Sequence, residues 1–471
     1  MRLIAHFWIV IRISEGTVLT EQGLLEIESN TSVSTSESGR AVFIETYGCQ
    51  MNVSDTELMM GVLKNAGYRN SSRLEDADIV LLNTCAIREH AEERVIGRLT
   101  QLSSLKLERP NLVLGVSGCM AKHMAEKLTD RLPYVDLVLG PDSYRNLPDL
   151  IEAASEVPAL DVRLDRDEDY LGLDPIRKDH TNAWVTIMRG CDKFCTFCIV
   201  PYVRGRERSV SCAEIVRQVR AAASEGFREV TLLGQTVNSY NDGHHDFADL
   251  LGMVAEVEGI YRVRFTSPHP SDFSDRLIHT LASEEKVCKY IHLPVQSGSR
   301  RVLEAMDRSY TPEEYLALVD RLRESIPGLS LSTDIIVGFP GEEEEDFLAT
   351  IDVMRSVRFD SAYMFKYSER EGTVAYKSIP DSVPEAEKGR RLEQVISLQN
   401  EISYEINQSF LGKTVEVLVQ GPARKNRDHV VGRSNEFKTV VFPRNGVEDN
   451  SLVQVQISEA TQRSLLGCLK C

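Results

Sequence analysis

The sequence predicts an α/β protein in three parts: an N-terminal parallel α/β domain, a central partial (βα)6 barrel and a small C-terminal β-barrel. Three observations predict it. Short apolar runs alternate with helical stretches from Ala41 to Phe365, the pattern of parallel strands joined by crossover helices. Pro380 and Pro384 interrupt that alternation, and a long run of helix formers follows. Beyond it, four short strand patterns crowd between Thr414 and Ile457, the spacing of a small closed barrel.

The elements follow in chain order. Residues 1–40 read as an extension or disordered lead-in. Leu3–Ile11 is apolar, but it is too short to span a bilayer and no small-residue cleavage site follows it. Glu28–Gly39 is rich in Ser, Thr and Glu. The first domain, residues 41–155, has strands at Ala41–Thr46, Asp78–Leu82, Leu112–Val116 and Val135–Leu139. Helical stretches at Asp55–Asn65, Ile87–Leu107 and Met120–Arg131 separate them. Residues 156–180 are acidic and weakly periodic and read as a linker. The second domain, residues 181–411, carries strands at Trp184–Met188, Glu229–Leu233, Arg262–Thr266, Tyr290–Leu293, Ser330–Val337 and Ser361–Phe365. Six βα units are two short of a closed eight-stranded barrel, so an open one is expected. A helix over Pro384–Leu411 ends this domain. The last domain, residues 412–467, has strands at Thr414–Val419, His429–Gly432, Thr439–Phe442 and Leu452–Ile457.

The 471 residues carry a formal net charge of -17, which opposes nucleic-acid binding by the chain as a whole. The charge is uneven. Acid is concentrated in Asp165–Asp169 and Glu342–Asp346, whereas Gly421–Asn445 holds Arg424, Lys425, Arg427, Arg433, Lys438 and Arg444 against Asp428 and Glu436. The chain has no 20-residue apolar run, so no membrane span is expected. Ten cysteines are too sparse for a disulfide scaffold, and six of them fall into two groups suited to metal binding. A reducing, cytoplasmic compartment is therefore expected.

The first group is Cys191-Asp-Lys-Phe-Cys195-Thr-Phe-Cys198, directly after a strand. Three thiolates cannot close a tetrahedral zinc site unaided. They can hold three irons of a [4Fe–4S] cube and leave the fourth open to a chelating substrate. A zinc knuckle lacking one ligand is the competing reading. The second group is dispersed. Cys49, Cys85 and Cys119 each follow a strand of the first domain, one βα unit apart, so parallel strands in register bring the thiols to one rim. Here the competing reading is three unrelated core cysteines.

The Cys-x3-Cys-x2-Cys loop after the first barrel strand resembles the signature of the radical S-adenosylmethionine (SAM) enzymes. The resemblance implies that the amino and carboxylate groups of SAM chelate the unique iron, and that the reduced cluster cleaves SAM to a 5′-deoxyadenosyl radical. It also implies a SAM pocket at the carboxyl ends of the barrel strands, from Gly234, Gln235, Ser267, Gln296, Asp334 and Gly338, with Phe197 beside the adenine. From Ala41 to Gly467 the chain resembles the methylthiotransferases. Tyr47-Gly-Cys-Gln-Met-Asn52, Asn83-Thr-Cys-Ala-Ile-Arg88 and Gly234-Gln-Thr-Val-Asn238 resemble the branch acting on isopentenyl-adenosine beside the tRNA anticodon. That branch usually has Asn where this chain has Thr236. Cys49, Cys85 and Cys119 match the ligands of the family's auxiliary cluster, which makes two [4Fe–4S] clusters with SAM the expected cofactors.

The C-terminal segment resembles the TRAM β-barrel of RNA-modifying enzymes. Arg424, Lys425 and Arg427 are expected to meet the tRNA anticodon stem-loop, with Phe437 and Phe442 stacking on bases. Arg204 and Arg206, just after the cysteine loop, are expected to steer the RNA backbone. Further expected partners are a flavodoxin-like or ferredoxin-like electron donor and a sulfur donor for the auxiliary cluster, and the chain is expected to act as a monomer. The alternatives are the sister branches acting on threonylcarbamoyl-adenosine in tRNA or on a ribosomal-protein aspartate, and a non-enzymatic iron–sulfur or RNA-binding protein. No role is expected for Cys468 and Cys471, and Cys212 and Cys288 read as packing residues.

Overall fold

In a computed structural model the described residues are 11–12, 39–86, 89–177 and 181–470. Expectations for the rest of the lead-in, for Ile87 and Arg88, for residues 178–180 and for Cys471 lie outside them. The chain divides into two compact units. The first comprises Met1–Asp179 with Arg189–Cys191 and Ile199–Arg208; the second comprises His180–Met188, Asp192–Cys198 and Ser209–Cys471. Among the described residues, no helix is long and apolar enough to cross a membrane.

The first unit is built on a parallel sheet in the order β1 (Ala41–Tyr47), β2 (Ile79–Thr84), β3 (Val113–Gly118), β4 (Leu137–Leu139) and β5 (Ala159–Asp161). Ile11–Arg12 pairs antiparallel with β1 at its outer edge. Successive side chains of a strand point to opposite faces, and here both faces are covered. Val80 and Leu82 pack on one side with Phe43, Leu114 and Val116. Ile79 and Leu81 pack on the other with Ile44, Val113 and Leu139. The register is level: Thr84 lies opposite both Tyr47 and Gly118, so β1, β2 and β3 end together.

The expected linker is corrected. Ala159–Asp161 is the edge strand β5, and Tyr170 is buried against Tyr144, with ring centroids 5.8 Å apart. Residues 156–177 therefore contribute to the core of the first unit. The acidic composition concealed this, because the packed residues Ala159, Val162, Tyr170, Leu173 and Ile176 are spaced without a regular period.

The second unit holds six parallel strands in two sheets of three. One has β7 (Glu229–Leu233) between β6 (Asn182–Thr186) and β8 (Arg262–Phe265); the other has β10 (Ser330–Val337) between β9 (Tyr290–His292) and β11 (Ser361–Lys366). A parallel bridge between Val263 and Val287 joins β8 to the approach of β9, which gives the open (βα)6 barrel. The helices start where the sequence supplies caps. Ser211, Ser274, Ser299 and Thr311 each accept a hydrogen bond from the third residue of the helix they begin. The helix Glu385–Gln408 follows Pro384, whose missing N–H goes unneeded at a helix start.

The C-terminal strands β12 (Thr414–Ala423), β13 (Asn426–Ser434), β14 (Thr439–Pro443), β15 (Leu452–Ala460) and β16 (Leu465–Leu469) close into a barrel. β16 completes the ring by pairing with β14 and β15, and it is one strand more than the sequence pattern showed. The barrel docks on the same unit through buried arginines of β8. Arg262 donates to the carbonyls of Arg433 and Glu416. Arg264 donates to Ser434 and Asn435, and its Nε bonds to Glu229 at 2.9 Å. Phe437 stacks on Tyr290 at 4.7 Å, beneath the Arg264 guanidinium.

Arg264 and Glu229 are each 4% exposed, so removing one strands the other in a dry site. Arg264→Met should cost about 3–5 kcal/mol of stability in urea denaturation, as expected for a broken buried pair. Adding Glu229→Gln should restore part of that loss.

Candidate active site

Three turns at the level ends of β1, β2 and β3 carry Cys49, Cys85 and Cys119. Cys49 caps the helix Gln50–Asn65, and Cys119 opens the helix Cys119–His123. Gly48, at φ +143°, permits the close approach: a Cβ there would stand 2.6 Å from that of Cys85. A buried amide network fixes the turns. Asn83 donates to the carbonyl of Asn52 and to Thr56 at 2.8 and 2.9 Å, and Asn52 donates to the carbonyl of Thr84 at 3.2 Å. The Cys85 thiol donates to the Cys49 sulfur. That bond is the largest influence holding the Cys49 thiol down to about 6, against burial; Arg204 and the N–H groups of Asn52 and Met51 assist. Burial pushes the Cys119 thiol up, although Arg204 opposes it. Cys49 is thus linked to Cys85 by a hydrogen bond and to Cys119 through their charges, with Arg204 acting on both. No described cysteine is in a disulfide.

Next to them lies an ion cluster that sequence reasoning missed. Asp55, fully buried, receives Arg189 on one carboxylate oxygen at 2.8 Å and Arg204 on the other at 2.7 Å. Burial would raise the Asp55 carboxyl, but the two guanidinium groups outweigh it and hold it below the usual range. Nε of Arg204 donates to the Cys119 sulfur at 3.1 Å. The expectation that Arg204 steers RNA is therefore corrected: at 3% exposure it faces Asp55 and Cys119 instead of solvent. The signal was present in the helix Gln50–Asn65, where Asp55 shares an i, i+4 stripe with buried Met51 and Met59. An acid on an apolar stripe needs a buried partner.

The Cys191–Cys198 loop is divided between the units. In the first, the Cys191 N–H donates to the Gly205 carbonyl at 3.2 Å, and a Cβ on Gly190 would collide with the Arg206 carbonyl at 2.0 Å. In the second, the Cys198 N–H donates to the Cys195 carbonyl, and Thr196 is tied to Met306 and Ala305. Arg308, also missed from the sequence, donates to the Cys195 sulfur at 3.3 Å and lies over the Tyr310 ring.

Gly234, Gln235, Ser267, Gln296 and Gly338 follow the carboxyl ends of barrel strands, Asp334 lies within β10, and Phe197 lies in the cysteine loop. Oε1 of Gln235 is buried and accepts no hydrogen bond. Ser267 and Gln296 adopt left-handed φ values of 56° and 66°, a strain that side-chain-bearing residues rarely hold. Asp334 lies 3.4 Å from His292 Nε2, and Phe197 packs beside Met306 and Phe339. A Cβ on Gly234 or Gly338 would strike Met188 or Lys388, at 2.5 and 2.4 Å, and Gly338 also holds φ +70°.

Arg424 and Lys425 form the exposed turn between β12 and β13, and Arg427 is exposed beside it. Arg206 is exposed as well. The two expected base-stacking rings are corrected. Phe442 is fully buried in the barrel core, and Phe437 is occupied by Tyr290, Arg264 and Arg433.

The donor sets fit the groups the sequence implied. Among the described residues, no three His, Cys, Asp or Glu side chains surround a position for a single metal ion. Three neighbouring thiols of soft sulfur suit a cluster whose irons sit at separate corners. The unpartnered Gln235 oxygen suits a ligand that brings its own donor.

His269, 6% exposed, follows β8 and bonds to Ser271 at 2.7 Å. Burial, then the charges of Arg308 and Lys193, push its imidazole down to about 2. Below pH ~6.5 the unfolded chain takes up a proton that the folded chain refuses. Stability of the metal-free chain should therefore fall on acidification from about pH 6.5, with up to ~1.4 kcal/mol per pH unit from this group. His269→Gln should flatten that slope in urea titrations at pH 5 and 6.5.

Three family models match successive parts of the chain. Residues 41–140 match a family described as "Uncharacterized protein family UPF0004", residues 185–354 the radical SAM superfamily, and residues 408–470 the TRAM domain. The tRNA-2-methylthio-N(6)-dimethylallyladenosine synthase of Chloroherpeton thalassium is 46% identical over 90% of this chain and 95% of its own. The synthase of the same name from Porphyromonas gingivalis is 44% identical over 94% of this chain and 97% of its own. Among solved structures, the radical SAM methyltransferase TsrM of Kitasatospora setae aligns with a TM-score of 0.53 at 15% identity, covering 82% of this chain and 79% of that one. The cobalamin-dependent SAM radical enzyme OxsB aligns at 0.52 and 13% identity, covering 77% of this chain and 56% of that one. The two structures share the fold alone. With these three domain types in this order and relatives of such identity along almost its full length, the chain belongs to the tRNA-2-methylthio-N(6)-dimethylallyladenosine synthase family of radical SAM methylthiotransferases.

Proposed function

We propose that the chain converts N6-isopentenyladenosine beside the tRNA anticodon to its 2-methylthio derivative. One [4Fe–4S] cluster is held by Cys191, Cys195 and Cys198, and an auxiliary one by Cys49, Cys85 and Cys119. The observation that carries the reading is the level register of β1, β2 and β3, which supports a shared role for three cysteines more than 30 residues apart in sequence. An adenine C2–H bond is not acidic and offers no leaving group, so general acid–base catalysis gains nothing there. SAM and the reduced clusters, when bound, supply the radical and sulfur chemistry that the side chains lack.

The chain's own residues place and enclose. Gln235 offers an unpaired acceptor, Phe197 an aromatic face, and the strained backbones of Ser267 and Gln296 a fixed rim for SAM. Asp334, within β10, adds a carboxylate near this rim. Arg424, Lys425 and Arg427 form a basic turn for the phosphates of the anticodon stem-loop, with Arg206 a further contact. An outside one-electron donor of flavodoxin or ferredoxin type and a sulfur donor complete the cycle. The chain acts as a monomer in the cytoplasm.

Nucleoside mass spectrometry tests the reading. Reduced enzyme with SAM and isopentenylated tRNA should yield 2-methylthio-N6-isopentenyladenosine; no mass gain sinks the assignment, and a gain only on threonylcarbamoyl-adenosine transfers it to the sister branch. Cys49→Ala should abolish the product while SAM cleavage persists, whereas Cys195→Ala should abolish both.

Replacing Arg424, Arg427 and Lys425 together with Ala should weaken tRNA binding and lower the salt slope by roughly 2–3, given ~0.7–0.9 per phosphate contact. Phe442→Leu should leave tRNA affinity unchanged, since that ring packs inside the barrel.

A further inference from the structure

Two guanidinium groups and one carboxylate leave the Asp55–Arg189–Arg204 cluster with one positive charge in excess. All three side chains are at most 5% exposed. A buried charge without a counter-ion is strongly destabilising, so the excess needs an anion within the same unit. Asp55 has no further capacity for it. Each of its oxygens already takes one arginine, and the Tyr144 hydroxyl donates to it as well, at 3.4 Å. Arg189 is spent on Asp55 and on the Tyr170 ring face, 4.7 Å from its Cζ. The excess therefore resides on Arg204. Its Nη2 holds Asp55, its Nε reaches the Cys119 sulfur, and its Nη1 is buried with no hydrogen-bond partner. An orphaned guanidinium nitrogen beside three thiols is a donor awaiting an anionic ligand.

We propose that Arg204, oriented by Asp55 and Arg189, is the counter-charge of the auxiliary cluster site, donating to the Cys119 sulfur and offering Nη1 to the anionic cluster bound there. The inference rests on the reading that Cys49, Cys85 and Cys119 hold a cluster. A cube ligated by three thiolates is net negative, which is the charge the arginine lacks. Arg204 would meet the cluster both through the Cys119 sulfur and directly through Nη1. Hydrogen bonds and positive charge at cluster sulfurs stabilise the reduced state and raise the potential. The Asp55 carboxylate sets the guanidinium plane, so that one edge addresses the carboxylate and the other the sulfur.

The test uses the full-length chain carrying Cys191→Ala, Cys195→Ala and Cys198→Ala, reconstituted anaerobically, so that iron and the reduced-cluster EPR signal report the auxiliary site alone. Into this parent go Arg204→Lys, Arg204→Gln and the double variant Asp55→Asn with Arg204→Gln. The lysine keeps the charge and the Asp55 pair, and the double variant removes the carboxylate that glutamine alone would strand. The expected result is a midpoint potential that moves negative from parent to lysine to glutamine. The double variant should also lie below the parent, and chelator should strip iron several-fold faster from both glutamine forms. Loss of iron from a variant that melts like the parent also supports the role. Unchanged potential and unchanged iron retention in folded variants overturn it. A parent that binds no iron overturns the cluster reading itself, and with it this inference.

Discussion

Parallel strands fixed at one register govern nearly everything at the candidate auxiliary site. Thr84 stands opposite Tyr47 on one side and Gly118 on the other, so three chain segments leave the sheet at one height. Each segment then has only one or two residues in which to present a thiol. A one-residue slip in β2 would turn its inward side chains outward and exchange the two faces of a strand that is buried on both. Val80 and Leu82 on one face, and Ile79 and Leu81 on the other, hold the register through two separate cores. Apolar packing thus sets thiol geometry at a distance, and Asn52, Asn83 and Thr56 refine it locally.

The thiols themselves are unequal. Cys49 sits at a helix start, where backbone N–H groups and the Cys85 thiol favour its anion. Cys119 is enclosed deeply enough that burial outweighs Arg204. The same fold therefore offers one ready thiolate and one reluctant thiol, and a single guanidinium stands by the reluctant one. That asymmetry follows from where each cysteine falls relative to its strand end and the helix after it.

The strand positions and the two cysteine groupings rest on local signals, short apolar runs and thiol spacing, whereas the first helix was read as starting at Asp55 and begins at Gln50. What stayed hidden depends on long-range placement. Arg204 looked like an RNA contact because a basic residue after a cysteine loop gives no hint of Asp55, 149 positions earlier. Phe442 was read as a free ring because a strand pattern does not say which face closes inward in so short a barrel. The fifth barrel strand, Leu465–Leu469, was lost because its sequence lacks alternation and includes Gly467. Residues 156–177 join the first core through scattered apolar residues, Tyr170, Leu173 and Ile176 among them, in an otherwise acidic stretch.

Arg189 and Arg204 belong to the first unit by their contacts but to the barrel segment by their position in the chain. A fragment ending near residue 179 would keep Asp55 in its interior and lose both cations that neutralise it. The N-terminal unit is thus completed by residues that come after it in the chain, up to Arg208. Splitting the chain at that boundary would strand the Asp55 carboxylate in apolar surroundings.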